Sequence, residues 1–289
     1  MPRTGAIVVF VLASLLCPSL SYAQTAVPTP ASTPFDSAQG KPELSVAQIK
    51  DFLKNAKIIH VRNTSKGVTA PKRVTLSDGA ITHDAVFQAI DDRQLVMKLG
   101  GGGRQEQTEL NFVDSYKYNV AAYEVATLLG LEHMMPVYVE RRWNGQVGSI
   151  SWFVETLMDE SDRLKKKIEP PKPTEWNEQM YRMRVFSALL RDTDRNLTNV
   201  LVTPEWKVMM IDFTRAFRLQ PELLHLKDLN KIDRHLLAKL ETLDREEVRK
   251  ATGDMLLKTE VEAMMQRRDL LVAHFKQLIA ELGEEKVLY

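Results

Sequence analysis

The chain changes its pattern once, and that change limits its fold more than any other feature. As far as residue 154, short alternating or β-branched runs stand between turn signals. Beyond residue 160 most apolar residues recur at helical spacing, as in Leu236, Leu237, Leu240 and Leu243. A sheet-rich section followed by a helical one predicts an α+β protein with a small antiparallel-sheet lobe carrying one helix and a larger helical lobe. A length of 289 residues gives both lobes enough chain to bury a core.

Residues 44–54 read as a helix with Ser45 as N-cap and Leu44 as staple. Strand-like runs follow at 58–61, 73–76, 81–90 and 94–99, with a turn at Ser77-Asp78-Gly79. Four glycines at 100–103 predict a mobile turn. Asp114 precedes a predicted helix over 115–129, which Gly130 closes. Residues 137–141 and 148–154 form a hairpin pattern around Asn144-Gly145. After the polar loop 160–173, residues 177–190 read as a helix. Strands at 200–202 and 208–211 bracket a turn, and 223–281 reads as almost all helix.

The N-terminus has the layout of a secretory signal peptide over 1–23. Arg3 is followed by an apolar run at 6–16, by Pro18, and by small residues at Ser21 and Ala23. The run is shorter than the roughly 20 apolar residues that a spanning helix needs. An uncleaved anchor is the alternative reading. The bulky Leu16 before Cys17 argues against a lipoprotein signal. Export would place the chain in a periplasm or outside the cell and would bring it to a membrane only in transit. Residues 24–43, rich in Pro, Thr, Ser and Ala, are expected to be a disordered linker. The lobes are then expected over 44–158 and 159–289. Cleavage would remove the single cysteine, so no disulfide could stabilise the fold. With 39 basic and 38 acidic residues, the charge balance gives no reason to expect nucleic acid as a partner.

Residues 191–217 (RDTDRNLTNVLVTPEWKVMMIDFTRAF) carry the chemistry. Asp194 is followed by Asn199, and Asp212 comes directly after an apolar strand and before Phe213. Phosphoryl transfer needs one carboxylate at the attacking hydroxyl, and an amide oxygen with a second carboxylate to hold metal against the phosphates. The bland alternative is that Asp192, Asp194 and Asn196 serve as capping and turn residues. The six histidines are dispersed and form no ligand pair at helical spacing. No Gly-x-Ser-x-Gly motif supports acyl transfer.

At this segment the chain resembles the protein-kinase-like superfamily in its atypical branches, the phosphatidylinositol lipid kinases and the secretory-pathway kinases of the Golgi casein kinase type. The matching residues are Asp194-Arg195-Asn196-Leu197-Thr198-Asn199 and Ile211-Asp212-Phe213-Thr214. The resemblance implies the two-lobed kinase-like fold. It implies Asp194 as catalytic base, Asn199 and Asp212 as ligands of Mg or Mn, and ATP or another nucleotide as donor. It makes 115–129 the regulatory helix, with Glu124 as the acid that pairs with a lysine. It makes 152–158 the hinge, with Glu155 and Leu157 beside adenine, and the loop 63–71, with Lys66, the cover over phosphates.

The chain departs from that pattern at four places. Gln88 stands where the family's phosphate-binding lysine is expected; Lys98, Lys72 or Arg73 are the open alternatives. The cover loop has one glycine, Gly67. Thr214 replaces the glycine after Asp-Phe, and Asn196 replaces the lipid-kinase histidine. The acceptor, a protein or a small molecule, is not written in the sequence. A catalytically degenerate binding module on the same fold is the runner-up function.

Overall fold

The computed structural model of the chain describes residues 44–63, 71–99 and 107–289. The expected signal peptide, the linker, the glycine turn, and Lys66 with most of its loop lie outside these residues. The chain order is α1 (Val46–Asn55), β1 (Lys57–Asn63), β2 (Lys72–Ser77), β3 (Thr82–Gln88), β4 (Asp91–Leu99), β5 (Gln107–Ser115), α2 (Lys117–Leu129), β6 (Tyr138–Trp143) and β7 (Gln146–Trp152). Then follow β8 (Met158–Asp159), α3 (Glu160–Lys165), α4 (Pro173–Leu190), β9 (Val200–Val202), β10 (Val208–Met210), α5 (Arg234–Thr242), α6 (Arg245–Thr252), α7 (Lys258–Leu282) and α8 (Glu284–Val287).

Local signals set most of the boundaries. Ser45 and Gln48 form a capping box at the start of α1. Asn144 and Gly145 both hold positive φ, as the two-residue hairpin between β6 and β7 requires. Gly130 ends α2 at φ 74°. Pro173 starts α4 four residues before the predicted helix, because a proline at the first turn loses no hydrogen bond.

Five strands form one antiparallel sheet in the order β1-β2-β3-β7-β6. Paired residues share a face, so the register sorts its two sides. Val74, Leu76, Ala85, Phe87, Val139 and Ile150 face α1 and bury Phe52 and Leu53. Arg141 donates to the Leu53 and Ala56 carbonyls at the end of α1, at 2.8 and 2.7 Å. The opposite face is polar and carries Arg73, Thr75, Asp84, Gln88, Ser149 and Ser151. It also carries Tyr138, the register partner of Ser151.

The sequence pattern assigns no strand to 107–115. There β5 pairs with β4 as a separate two-stranded ribbon. Its alternation (Leu110, Phe112) is short and is broken by Val113. The pattern also overstates helix over 223–281: apart from one 3-10 turn, 219–233 is irregular, with His225 left-handed at φ 52°.

The helical lobe packs α4, α5, α6 and α7 into one core, beside the sheet β10-β9-β8. That core includes α2. Tyr118, Ala122, Val125 and Leu129 belong to the same cluster as Phe186, Leu237, Val248 and Phe275. The helix that the resemblance assigns to the small lobe is therefore anchored on the large one. Among the described residues, no helix is long and apolar enough to cross a membrane.

Candidate active site

The site begins where α4 stops. Arg191 takes the left-handed conformation (φ 48°) and turns the chain into residues 192–199. Asp192 organises that loop: its Oδ1 accepts the Asp194 amide at 3.1 Å, and its Oδ2 lies 2.6 Å from Arg195 Nη2. Arg195 Nη1 donates to the carbonyls of Asn199 at 2.9 Å and Ile211 at 2.7 Å. Its guanidinium also lies 4.1 Å from the Phe213 ring centroid. One buried cation thus joins the loop to the end of β10. The side chains of Asn196 and Asn199 both donate to the Asp194 carbonyl at 3.3 Å. The Asn199 bond uses its amide nitrogen and leaves its oxygen for a ligand.

Beyond β10, Asp212 holds φ 57°. A non-glycine residue there is strained and persists only where its surroundings fix it. The Thr214 hydroxyl donates to Asp212 Oδ1 at 3.1 Å. The buried Tyr138 hydroxyl, from the polar face of the sheet, lies against the Asp212 backbone amide and the Ser151 hydroxyl. Burial pushes the Asp212 carboxyl above its ordinary range; the Thr214 hydroxyl and Arg195 oppose the rise, and Asp114 and Asp194 add to it.

Asp194 and Asp212 therefore stand within electrostatic reach of each other, and Asp114 joins them. The Ser115 amide donates to the Thr214 carbonyl at 2.8 Å and brings the end of β5 to this site. Burial also pushes the Asp114 carboxyl up; Thr214 and Arg215 oppose this, and Asp194 adds to it. Asp114 Oδ1 is buried without a hydrogen-bond partner. In the sequence Asp114 looks like a helix-leading residue. Yet α2 starts at Lys117, and Tyr116 caps it without a side-chain bond. No sequence signal marks Asp114 for the site, because the pairing of β5 with β4 delivers it there.

The side chains that the fold brings to this region, Asp114, Asp194, Asp212 and the Asn199 amide, offer only oxygen to a cation. Such a set suits hard divalent cations such as Mg or Mn. The buried, unpartnered Asp114 Oδ1 and the raised Asp212 carboxyl fit a cation there. Among the described residues, no group of three or more His, Cys, Asp or Glu forms a ready metal cage. A cation would thus rely on the Asn199 amide or on oxygens of its own ligand.

The remaining predicted residues are placed as follows. Gln88 is buried at the end of β3, and its Oε1 accepts from Asn119 Nδ2 at 2.9 Å. Glu124 pairs with Lys50 of α1 at 2.7 Å, and not with a residue of β3. Lys72 stands opposite Phe87, on the α1 side of the sheet, and donates to Asn63 at 2.7 Å. Arg73 is on the polar face, paired with Asp84 at 2.6 Å and lying 3.6 Å over the Phe153 ring. Lys98 sits in β4, paired with Thr108 and outside the five-stranded sheet. Glu155 and Leu157 are exposed on the connector from β7 to β8. The Leu157 amide donates to the Val202 carbonyl at 2.8 Å, which ties the connector to β9.

A sheet with one helix-covered face, a connector, a helical lobe, and an Asp-loop-Asp arrangement between them define the two-lobed kinase-like class. No family model matches the sequence. No curated protein matches it. Solved structures do match. The structure of hydra Fam20 with sugar shares 14% identity at a TM-score of 0.62, covering 84% of this chain and 92% of that one. A Golgi casein kinase structure gives a TM-score of 0.57 at 12% identity, over 84% of this chain and 78% of that one. Another, with Mn and ADP bound, gives 0.59 at the same identity and coverage. At such identities the likeness is one of fold, and the chain has the atypical kinase-like fold.

Proposed function

We propose that the protein is an exported, metal-dependent phosphotransferase that moves a phosphoryl group from a nucleotide to a hydroxyl of a protein or small molecule. The carrying observation is that Arg195 bonds the Asn199 and Ile211 carbonyls and so ties the loop bearing Asp194 and Asn199 to the strand end directly before Asp212. Asp194 orients the acceptor hydroxyl and takes its proton as the oxygen attacks phosphorus. Asn199 and Asp212 would hold Mg or Mn, with Asp114 as a further buried carboxylate, and a cation there would supply neutralising charge to the phosphates. The connector residues Glu155 and Leu157 border the nucleobase side. The neighbour of the same fold with Mn and ADP bound supports this reading. The pattern of residues 1–23 and the Golgi setting named for that neighbour support export.

Calorimetric titration of Mn²⁺ and ADP tests the proposal on wild type and on Asp212→Ala. The expected result is metal-dependent nucleotide binding that the substitution abolishes. A folded Asp212→Ala protein that binds and transfers like wild type would sink it.

One observation favours a second reading, a catalytically degenerate nucleotide-binding module. Gln88 is neutral and buried where the phosphate-binding cation is expected, and Lys72 lies on the other face. Nucleotide binding with no transfer to any hydroxyl, water included, would select this reading.

A further inference from the structure

The buried side chain of Asn119, in the first turn of α2, touches three separate parts of the protein. Its Oδ1 accepts the Phe213 amide at 2.7 Å, in the residue directly after Asp212. Its Nδ2 donates to Gln88 Oε1 at 2.9 Å and to Ser149 Oγ at 3.4 Å. The orientation of the amide follows from chemistry: a backbone N–H can only donate, so the atom facing it must be the oxygen. Asn119 is 1% exposed and Gln88 8% exposed, so water does not compete for these bonds. The helix that carries Asn119 is anchored in the large lobe's core. Gln88 and Ser149 are register partners at the edge of the small lobe's polar face.

We propose that Asn119 is a positioning residue for Asp212. Asp212 is strained at φ 57°, and the peptide that follows it must be held from outside. Asn119 holds it by the Phe213 N–H and ties that point to β3 and β7 through Gln88 and Ser149. Gln88 gains a definite role from this arrangement. As a neutral amide it links sheet, helix and Asp212 turn in one buried chain of hydrogen bonds. The glutamine is built into the site and is no mere loss of a lysine. Glu124, engaged with Lys50, stands outside this chain.

This inference rests on the phosphotransferase reading for its effect on function, and its test separates the two. Asn119→Leu keeps the volume and removes every bond; Asn119→Asp keeps an acceptor for the Phe213 amide. Calorimetry is run with Mn²⁺ and ADP, and with ADP alone, on both variants and on wild type. Amide exchange at Phe213 is measured in parallel, and thermal melting confirms folding. Asn119→Leu is expected to weaken the Mn²⁺-dependent binding at least tenfold, leave binding of ADP alone unchanged, and speed Phe213 exchange at least tenfold. Asn119→Asp is expected to restore most of the Phe213 protection. A folded Asn119→Leu protein with wild-type Mn²⁺ affinity and wild-type Phe213 protection overturns the proposal. Should wild type bind no Mn²⁺ with ADP, the phosphotransferase reading falls. The positioning role is then decided by exchange alone: protection lost in Asn119→Leu and regained in Asn119→Asp upholds it, and protection kept in Asn119→Leu overturns it. If Asn119→Leu does not fold, Asn119→Ser is read by the same exchange criterion.

Discussion

Arg195 Nη2 lies 2.6 Å from Asp192 Oδ2, and the Asp192 side chain is wholly buried. The same guanidinium bonds two backbone carbonyls from either side of the β9–β10 hairpin. The pair acts as a joint: it fixes the loop that carries Asp194 relative to the strand that delivers Asp212. Removing one charge of a buried pair leaves the other uncompensated, at a typical cost of about 3–5 kcal/mol. Arg195→Met is therefore expected to cost about that much in chemical denaturation. Asp192→Asn with Arg195→Met should recover part of the loss. A double variant no more stable than the single one would count against this account.

Asp212 makes stability depend on pH in a defined direction. Its carboxyl is raised in the folded protein by burial, with Asp114 and Asp194 adding to the rise. A group raised on folding contributes stability below its unfolded pKa and loses that contribution as pH rises through the folded value. Without metal, Asp212→Asn should therefore be more stable than wild type at neutral pH. The advantage should shrink as pH falls toward the ordinary carboxylate range. Melting curves of both proteins against pH, with chelator present, check this. A constant difference across pH would contradict it.

Metal affinity should follow the same groups in the opposite sense. A cation at Asp212 and Asp114 must displace protons that burial has made harder to remove. Mn²⁺ binding is expected to strengthen as pH rises from the ordinary carboxylate range toward neutrality, and the trend should flatten in Asp114→Asn. An unchanged slope in that variant would exclude Asp114 from the site.

The ion pair of Lys50 and Glu124 is part-exposed at both ends, with side chains 29% and 23% accessible. Pairs of this kind contribute at most about 1 kcal/mol. Glu124→Gln is expected to lower stability by less than that and to leave nucleotide binding intact. A large loss of nucleotide affinity would instead assign Glu124 the role that the family resemblance implies.

Gly148 in β7 lies beside the turn after β3. A Cβ there would collide with the Gln88 carbonyl and stand 2.9 Å from Phe87 Cζ and 3.0 Å from Ala89 Cα. Two of these neighbours are backbone, which cannot yield cheaply. Gly148→Ala should cost about 1–3 kcal/mol. It should also disturb Gln88, and through it Asn119, which the Phe213 amide exchange rate would report.

Local chemistry in the sequence was enough to determine the elements with strong caps and turns. The Ser45 capping box, Asn144-Gly145 and Gly130 each act within a few residues, so their outcome does not wait on the fold. The change from strand-like to helical pattern determined the lobe order, and the spacing of Asp194, Asn199 and Asp212 marked the candidate site. Only the tertiary structure decided which distant side chains complete it. Asp114 reaches the site through the pairing of β5 with β4, and Tyr138 through the polar face of the sheet. Glu124 found its lysine in α1, and Gln88 found its partner in Asn119. Such contacts depend on packing between segments far apart in the chain, and one segment's pattern carries no record of the surface it will meet.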